Sequence, residues 1–234
     1  MIVGLLGLRG SGKNTVARLM IENARGALAT EVALADELKR ILYRLYDFTE
    51  EQVWGSEKED PDHRYPREHT WDLTGGDEED KFQFKCTCCG ILKSDRGNFR
   101  CYLTPRYAQQ ILGTEMGRNC YPNTWVDQML RTAGKLAEGG YSYNRLDGLF
   151  KSDGMPSQHT VVTDVRFKNE VAAIMNSGGK VFRVVRTGYE KPAFNHPSET
   201  EQMSIPDSDL SGVINNGGSI DMLKAVILPT TFEK

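Results

Sequence analysis

Positive charge is in short supply in this chain. Lysine and arginine number 29 against 32 aspartates and glutamates, a formal net charge of -3. With no basic excess, the composition argues against DNA or RNA as an obligatory partner. Any phosphate must be held by locally concentrated charge. Long hydrophobic runs are also missing. The first residues, MIVGLLGLRG, hold only seven residues of apolar character, Ile2 to Leu8, and no stretch approaches the ~20 a membrane helix needs. A signal peptide is disfavoured because there is no basic n-region and the run ends in a Gly-rich turn. The expectation is a soluble, cytoplasmic protein with no membrane partner. Cysteines are few and odd in number, five in all, which argues against a disulfide framework. Apolar residues make up 39% of 234 residues, enough for a real core. The length suits one α/β domain, or a core domain with an insertion.

Short apolar runs alternate with helical patterns. Val3–Leu8 predicts a first strand, and a helix follows from about Lys13 to Asn23. Glu31–Ala35 predicts a second strand. Leu38, Ile41, Leu42 and Leu45 then mark a helix over Asp36–Tyr46, with Asp36 as N-cap. Residues 48–101 differ: they are polar and carry four of the five cysteines. A structureless loop of that length is unusual, so the stretch reads as a substrate flap followed by a small inserted subdomain. Thr104-Pro105 predicts an N-cap with Pro at N1, and Tyr107, Ile111 and Leu112 would line one face of that helix. Asn123 or Thr124 caps the next helix, through Val126, Met129, Leu130 and Leu136, stopped by Gly139-Gly140. Tyr141–Gln158 reads as loop. Thr160–Thr163 is a β-branched run ending in Asp164, Asn169–Asn176 a helix, and Lys180–Arg186 a strand. Residues 187–208 read as a Pro-rich loop and candidate lid. Gly212–Asn215 is a last strand, and Ser219 caps a terminal helix. The alternation implies a single α/β domain over 1–234, built on a parallel sheet of about five strands with right-handed crossovers.

The strongest motif is Gly7-Leu8-Arg9-Gly10-Ser11-Gly12-Lys13-Asn14-Thr15, between an apolar strand and a helix. That is the context of a P-loop. Glycines let the backbone curl so that N–H groups converge on phosphate oxygens, and the helix N-terminus adds partial positive charge. Arg9, Gly10, Ser11, Gly12, Lys13, Asn14 and Thr15 are the expected nucleotide-phosphate residues, with Lys13 on the β- and γ-phosphates. The common pattern has Ser or Thr directly after the Lys; here Asn14 stands there and Thr15 follows. Thr15 is therefore the candidate for Mg²⁺, bound directly or through water. No Asn/Thr-Lys-x-Asp guanine motif is present, and a short chain with an acceptor-sized insertion favours a small-molecule kinase over a switch or motor.

A phosphate-bearing acceptor needs its own cations, and the guanidinium fork binds phosphate bidentately. Arg67, Arg106, Arg118, Arg166, Arg183 and Arg186 lie at the edges of predicted elements. Arg166 follows a strand end, where ligands of open α/β sheets bind.

These residues, in this order, resemble the bacteriophage-type deoxynucleoside monophosphate kinases. The resemblance covers most of the chain outside the cysteine insertion. It runs through Gly12-Lys13-Asn14-Thr15, Leu34-Ala35-Asp36-Glu37-Leu38-Lys39, Arg67-Glu68, Thr104-Pro105-Arg106, Gln110, Leu112-Gly113-Thr114-Glu115 and Trp125-Val126. It closes with Asp164-Val165-Arg166-Phe167-Lys168-Asn169-Glu170, Val184-Val185-Arg186 and His196-Pro197-Ser198-Glu199. The resemblance implies a three-layer P-loop kinase fold and ATP- and Mg²⁺-dependent phosphoryl transfer to a deoxynucleoside 5′-monophosphate, in DNA-precursor synthesis, within a host cytoplasm if the source is viral. It implies Asp36, Lys39, Arg67 and Arg106 on the acceptor side, with the last three on its phosphate. Gln110, Gly113, Thr114 and Trp125 would form the base and sugar pocket, although Trp125 equally reads as core. Asp164, Arg166 and Glu170 would form a polar cluster facing sugar and phosphates, Asp164 holding Mg²⁺ through water. Arg183 and Arg186 would meet the ATP phosphates from the lid side, or else simply sit in a strand. Lys13, Arg106, Asp164 and Arg166 would carry catalysis by positioning and charge stabilisation, with no essential general base. The base accepted is not legible, and a homodimer is the commonest assembly for such a chain.

Cys86, Cys88, Cys89 and Cys101 lie within sixteen residues. Cys86-x-x-Cys89 fits half of a structural Zn²⁺ site, with Cys101 and Cys88, His63 or His69 completing it; reduced thiols in an insert are the other reading. Cys120 reads as a lone buried thiol. Two other functions fit parts of the chain: a P-loop kinase for another small acceptor such as dephospho-coenzyme A, and an ATP-switched nucleic-acid-binding module.

Overall fold

The computed structural model describes residues 1–24, 28–68, 71–74, 83–86, 92–93, 101–186, 188 and 197–230, with backbone alone at 71–74, 83–86, 92–93, 197–200 and 228–230. The chain opens with strand β1 (Ile2–Leu6), helix α1 (Lys13–Glu22), strand β2 (Ala29–Val32) and helix α2 (Asp36–Leu45). Next come α3 (Glu50–Val53), β3 (Asp62–Arg67), β4 (Trp71–Thr74), β5 (Gln83–Cys86), β6 (Leu92–Lys93) and β7 (Cys101–Leu103). Helix α4 (Pro105–Gln110) runs directly into a π-helical stretch, Ile111–Arg118, and α5 (Thr124–Glu138) follows. The last third comprises β8 (Tyr141–Asn144), β9 (Gly148–Lys151), β10 (His159–Val165), α6 (Lys168–Asn176), β11 (Lys180–Val185), α7 (Pro197–Ser204), β12 (Gly212–Asn215) and α8 (Ile220–Thr230). The residues divide into two units: Met1–Glu37 with Cys120–Lys234, and Leu38–Asn119.

The first unit is built on a five-stranded sheet of order β12-β11-β1-β10-β2. Every pairing in it is parallel, with Ile2 opposite Thr160, Val3 opposite Lys180 and Phe182 opposite Gly212. These strands read as near-continuous apolar, β-branched runs because both faces are covered. Val3, Leu5, Val161, Phe182 and Val184 join Val16, Ala17 and Met20 of α1 and Leu223 and Ile227 of α8 in one buried cluster. On the opposite face, a Cβ at Gly4 would lie 3.0 Å from Ile174 Cδ1 of α6 and 3.0 Å from Val165 Cγ2, so α6 packs directly on the sheet. Helix, sheet and helix make the three layers of a P-loop kinase fold. Parallel crossovers place β10 and β2 on one side of β1 and β11 and β12 on the other. Strand order reverses beside β1, and at such a point open α/β sheets bind ligands beyond the carboxyl ends of their strands. Among the described residues no helix is long and apolar enough to cross a membrane.

Three sequence expectations change in this unit. Tyr141–Gln158 contains a hairpin, β8 against β9 antiparallel, turned by Asn144, whose Oδ1 accepts from the N–H groups of Leu146 and Asp147 at 2.9 and 2.8 Å. Residues 187–208 are not all loop: α7 and a 3₁₀ turn at Asp207–Asp209 occupy the second half. Asp36 begins α2 rather than capping it. Its Oδ2 turns back to accept from Ala33 N–H at 3.2 Å and from the Tyr143 hydroxyl at 2.8 Å.

The second unit holds an antiparallel pair, β3 with β7, and a three-stranded antiparallel sheet of order β4-β5-β6. Within it, Asp62 accepts from Arg64 at 2.7 Å and from Gln52 at 3.0 Å. The Arg64 guanidinium holds the Asp62 carboxyl down to about 2. The predicted cap on α4 is present: Thr104 Oγ1 accepts from Tyr107 N–H at 3.2 Å, with Pro105 at the first helical position. Thr104→Ala removes that acceptor and is expected to lower stability by about 1 kcal/mol. An unchanged denaturant midpoint would show that the cap contributes nothing.

Candidate phosphate-binding site

The loop between β1 and α1 is shaped by contacts that admit no side chain at two positions. A Cβ at Gly7 would lie 2.4 Å from the Val184 carbonyl oxygen and 2.9 Å from Ser11 Oγ. Gly12 has φ of +94°, and its Cβ would lie 2.0 Å from Asn216 Nδ2. The backbone can follow this path only with glycine at both places. Helix α1 then begins at Lys13 with no side-chain cap and no acidic residue in its first turn. The positive end of its dipole is thus not neutralised by local carboxylates, which suits an anion. Lys13 Nζ donates to the carbonyls of Gly7 and Leu8 at 2.5 and 2.9 Å. Its ammonium is held against the inner backbone of the loop by two charge-assisted bonds.

Ser11 is 3% exposed, and its Oγ is buried without a hydrogen-bond partner. Buried hydroxyls are nearly always paired, so an unused donor in this loop fits a phosphate oxygen. Arg9, Gly10 and Asn14 are exposed, while Thr15 is half-buried in the first turn of α1.

At the carboxyl edge of β10, the Asp164 carboxylate accepts two backbone bonds. Oδ1 takes Leu34 N–H at 2.7 Å and Oδ2 takes Ala35 N–H at 3.0 Å. It ties the β2–α2 turn to the end of β10. Glu31 of β2 lies nearby. Burial of its carboxylate pushes it above the usual carboxylate range; the Thr163 hydroxyl opposes this, and the Asp36 and Asp164 charges reinforce it. Glu170 is 2% exposed and accepts from the backbone N–H groups of Arg166 and Phe167 at 2.7 and 3.1 Å. It therefore caps α6 and orients the turn carrying Arg166, which is exposed. Trp125 is buried on α5 with Val126 and Met129, which agrees with its reading as core. Arg183 donates to the Asp207 carboxylate, to the Ile205 carbonyl and, at 3.2 Å, to the Gln202 carbonyl. Its guanidinium anchors 202–207 to β11, while Arg186 is exposed.

The second unit gathers another part of the expected set. Arg67 of β3 stacks on Tyr107 of α4, guanidinium carbon to ring centroid 3.9 Å. One of its terminal nitrogens, NH1, is buried without a hydrogen-bond partner. Arg106, one residue before Tyr107, donates to Glu59 at 2.9 Å. Lys39 is half-buried on α2. Gly113 and Thr114 lie half-buried in the π-helical stretch, and Gln110 before it is exposed. Its neighbour Gln109 is the buried amide, donating to the Val53 carbonyl at 3.0 Å. π-Helical turns occur frequently at functional sites.

Over 219 residues the chain is 28% identical to a protein of Acanthamoeba polyphaga mimivirus named "Putative deoxynucleotide monophosphate kinase". The match covers 92% of this chain and 89% of that relative. No family profile matches. A likeness that spans nearly the whole of both chains includes most of the second unit.

The zinc reading rests on Cys88 and Cys89, which lie outside the described residues, and on the Cys86 side chain, which does too. His69 and His196 lie outside them as well. Cys101 is buried, its thiol donating to the Tyr102 carbonyl at 3.8 Å. Cys120 corrects an expectation: it is exposed, at the last helical residue after the π-helical stretch, just before the turn into α5. Two site-shaping residues were missed in the sequence. Tyr143 reaches Asp36 from a hairpin that was read as loop. Asn216 reaches the phosphate loop from the far end of the chain. The signal for Asn216 was its place just after the last strand, in Asn215-Asn216-Gly217-Gly218, at the edge where ligands bind.

Proposed function

We propose that this protein transfers the γ-phosphate of ATP to a deoxynucleoside 5′-monophosphate. The observation that carries the reading is the phosphate loop: an uncapped helix N-terminus, Lys13 drawn against the loop carbonyls and an unpaired Ser11 hydroxyl within it. The near full-length likeness to the mimiviral protein supports the acceptor class. Mg²⁺, when bound with ATP, would neutralise charge between the β- and γ-phosphates. In this reading Thr15 and Asp164 would hold that ion. Lys13 holds the phosphates and offsets charge as the bridging bond loosens. Arg166, on a turn fixed by Glu170, acts on the transferred group. Arg67, Arg106 and Lys39 hold the acceptor phosphate. The acceptor oxygen is already anionic, so positioning and charge stabilisation suffice.

The test is ADP release with ATP, Mg²⁺ and each deoxynucleoside monophosphate in turn, with products separated by chromatography. ADP appearing with particular monophosphates, together with the matching diphosphates, is the expected result. No diphosphate from any of them, but transfer to dephospho-coenzyme A or another small acceptor, would overturn the acceptor class and leave the loop's role standing.

A further inference from the structure

Asn216 lies 205 residues after Ser11 in sequence, yet its side-chain Nδ2 donates to the Ser11 carbonyl at 2.9 Å. Its own position is fixed. The backbone N–H of Asn216 donates to the Val185 carbonyl at 2.7 Å, extending the β11–β12 ladder by one residue beyond Asn215, the partner of Val185. The amide is thus carried by the sheet rather than by a free loop. At the receiving end, a Cβ on Gly12 would lie 2.0 Å from the same nitrogen, so the contact and the glycine require each other. A trans peptide points its C=O and N–H in opposite directions. Drawing the Ser11 carbonyl onto Asn216 therefore turns the Gly12 N–H away from Asn216 and fixes the Ser11–Gly12 peptide plane, the last but one before Lys13.

We infer that Asn216 is a positioning residue of the phosphate loop: it sets the Ser11–Gly12 peptide so that the loop's donors are pre-aligned for the nucleotide triphosphate. The inference rests on the reading of this loop as the ATP site. It separates Asn216 from residues that merely hold the fold, because its contact is made to one carbonyl of the loop and not to the core.

Two variants test it. Asn216→Ala removes the donor, and Asn216→Asp keeps the shape but sets a carboxylate against the Ser11 carbonyl. Direct ATP titration by calorimetry is compared with KM for ATP, KM for the monophosphate and the melting temperature. The expected result is an ATP affinity roughly 3–10-fold weaker for Asn216→Ala, the worth of one ordinary hydrogen bond, and weaker still for Asn216→Asp. KM for the monophosphate and the melting temperature should stay near wild type. Wild-type ATP affinity in both variants would overturn the inference, as would equal losses for ATP and monophosphate, or losses that follow the melting temperature. If the wild-type protein itself binds no ATP, the ATP reading of the loop fails and takes this inference with it, an outcome distinguished by the wild-type titration alone.

Discussion

Lys13→Ala is expected to cut turnover by about 10²–10³-fold, the usual cost of deleting one preorganised charge-stabilising donor. The fold should survive. Lys13 is half-buried at the first position of α1, where alanine is a good helix former. What disappears is the ammonium held by the Gly7 and Leu8 carbonyls. Those carbonyls keep the cation in place before any nucleotide arrives, so little reorganisation is left for the reaction step. Arginine is not an equivalent replacement, because its wider planar fork does not fit a site built for a compact point charge. The measurement is kcat with saturating ATP, beside a melting curve. Turnover within tenfold of wild type in a folded Lys13→Ala protein would sink the phosphate-loop assignment.

Asp164→Ala is expected to cost about 3 kcal/mol of stability, because two bonds to a charged acceptor are lost together at ~1.5 kcal/mol or more each. The Leu34 and Ala35 amides would be left without their acceptor, and the turn between β2 and α2 would loosen at the carboxyl edge of the sheet. Asp164→Asn should lose less, since one oxygen remains to accept. Denaturant midpoints for the pair read this directly. A loss below about 1 kcal/mol for Asp164→Ala would mean the turn is held by packing and not by this carboxylate. The same variant separates structural from chemical duty. If Asp164→Asn is nearly as stable as wild type but turns over much more slowly, the carboxylate charge is used in the reaction as well.

Much of the parallel sheet was legible because its strands are buried on both faces and so read as apolar runs bounded by turns. Thr160–Thr163 and Lys180–Arg186 each lie within a residue or two of β10 and β11. The Thr104-Pro105 start of α4 and the Gly139-Gly140 stop of α5 were legible because local chemistry alone dictates them. The β8–β9 hairpin was not. Apart from the buried Gly148 its residues are half-buried or exposed, and a polar pair such as Asp147-Gly148 marks a turn only once the flanking strands are recognised. In the candidate site, residue types were readable but duties were not. The resemblance implies Asp164 and Glu170 in a polar cluster facing sugar and phosphates; in the structure both accept backbone N–H groups. The Asn216 contact joins residues 205 apart, so its place after the last strand marks the edge of the sheet but not the Ser11 carbonyl that it reaches.

The placement of β1 sets a time order for the chain. Its neighbours in the sheet are β10 and β11, so Ile2 waits for Thr160 and Val3 for Lys180. During synthesis from the amino terminus, the first strand emerges long before either partner exists. Closing such long-range pairs costs loop entropy before any contact repays it, and this slows folding. Until Asn216 has been made, the Ser11 carbonyl lacks the amide donor that holds it in the folded protein. A ribosome-released fragment ending before β10 should therefore be not a weaker version of the protein but a sticky chain in which β1 is an unpaired apolar strand.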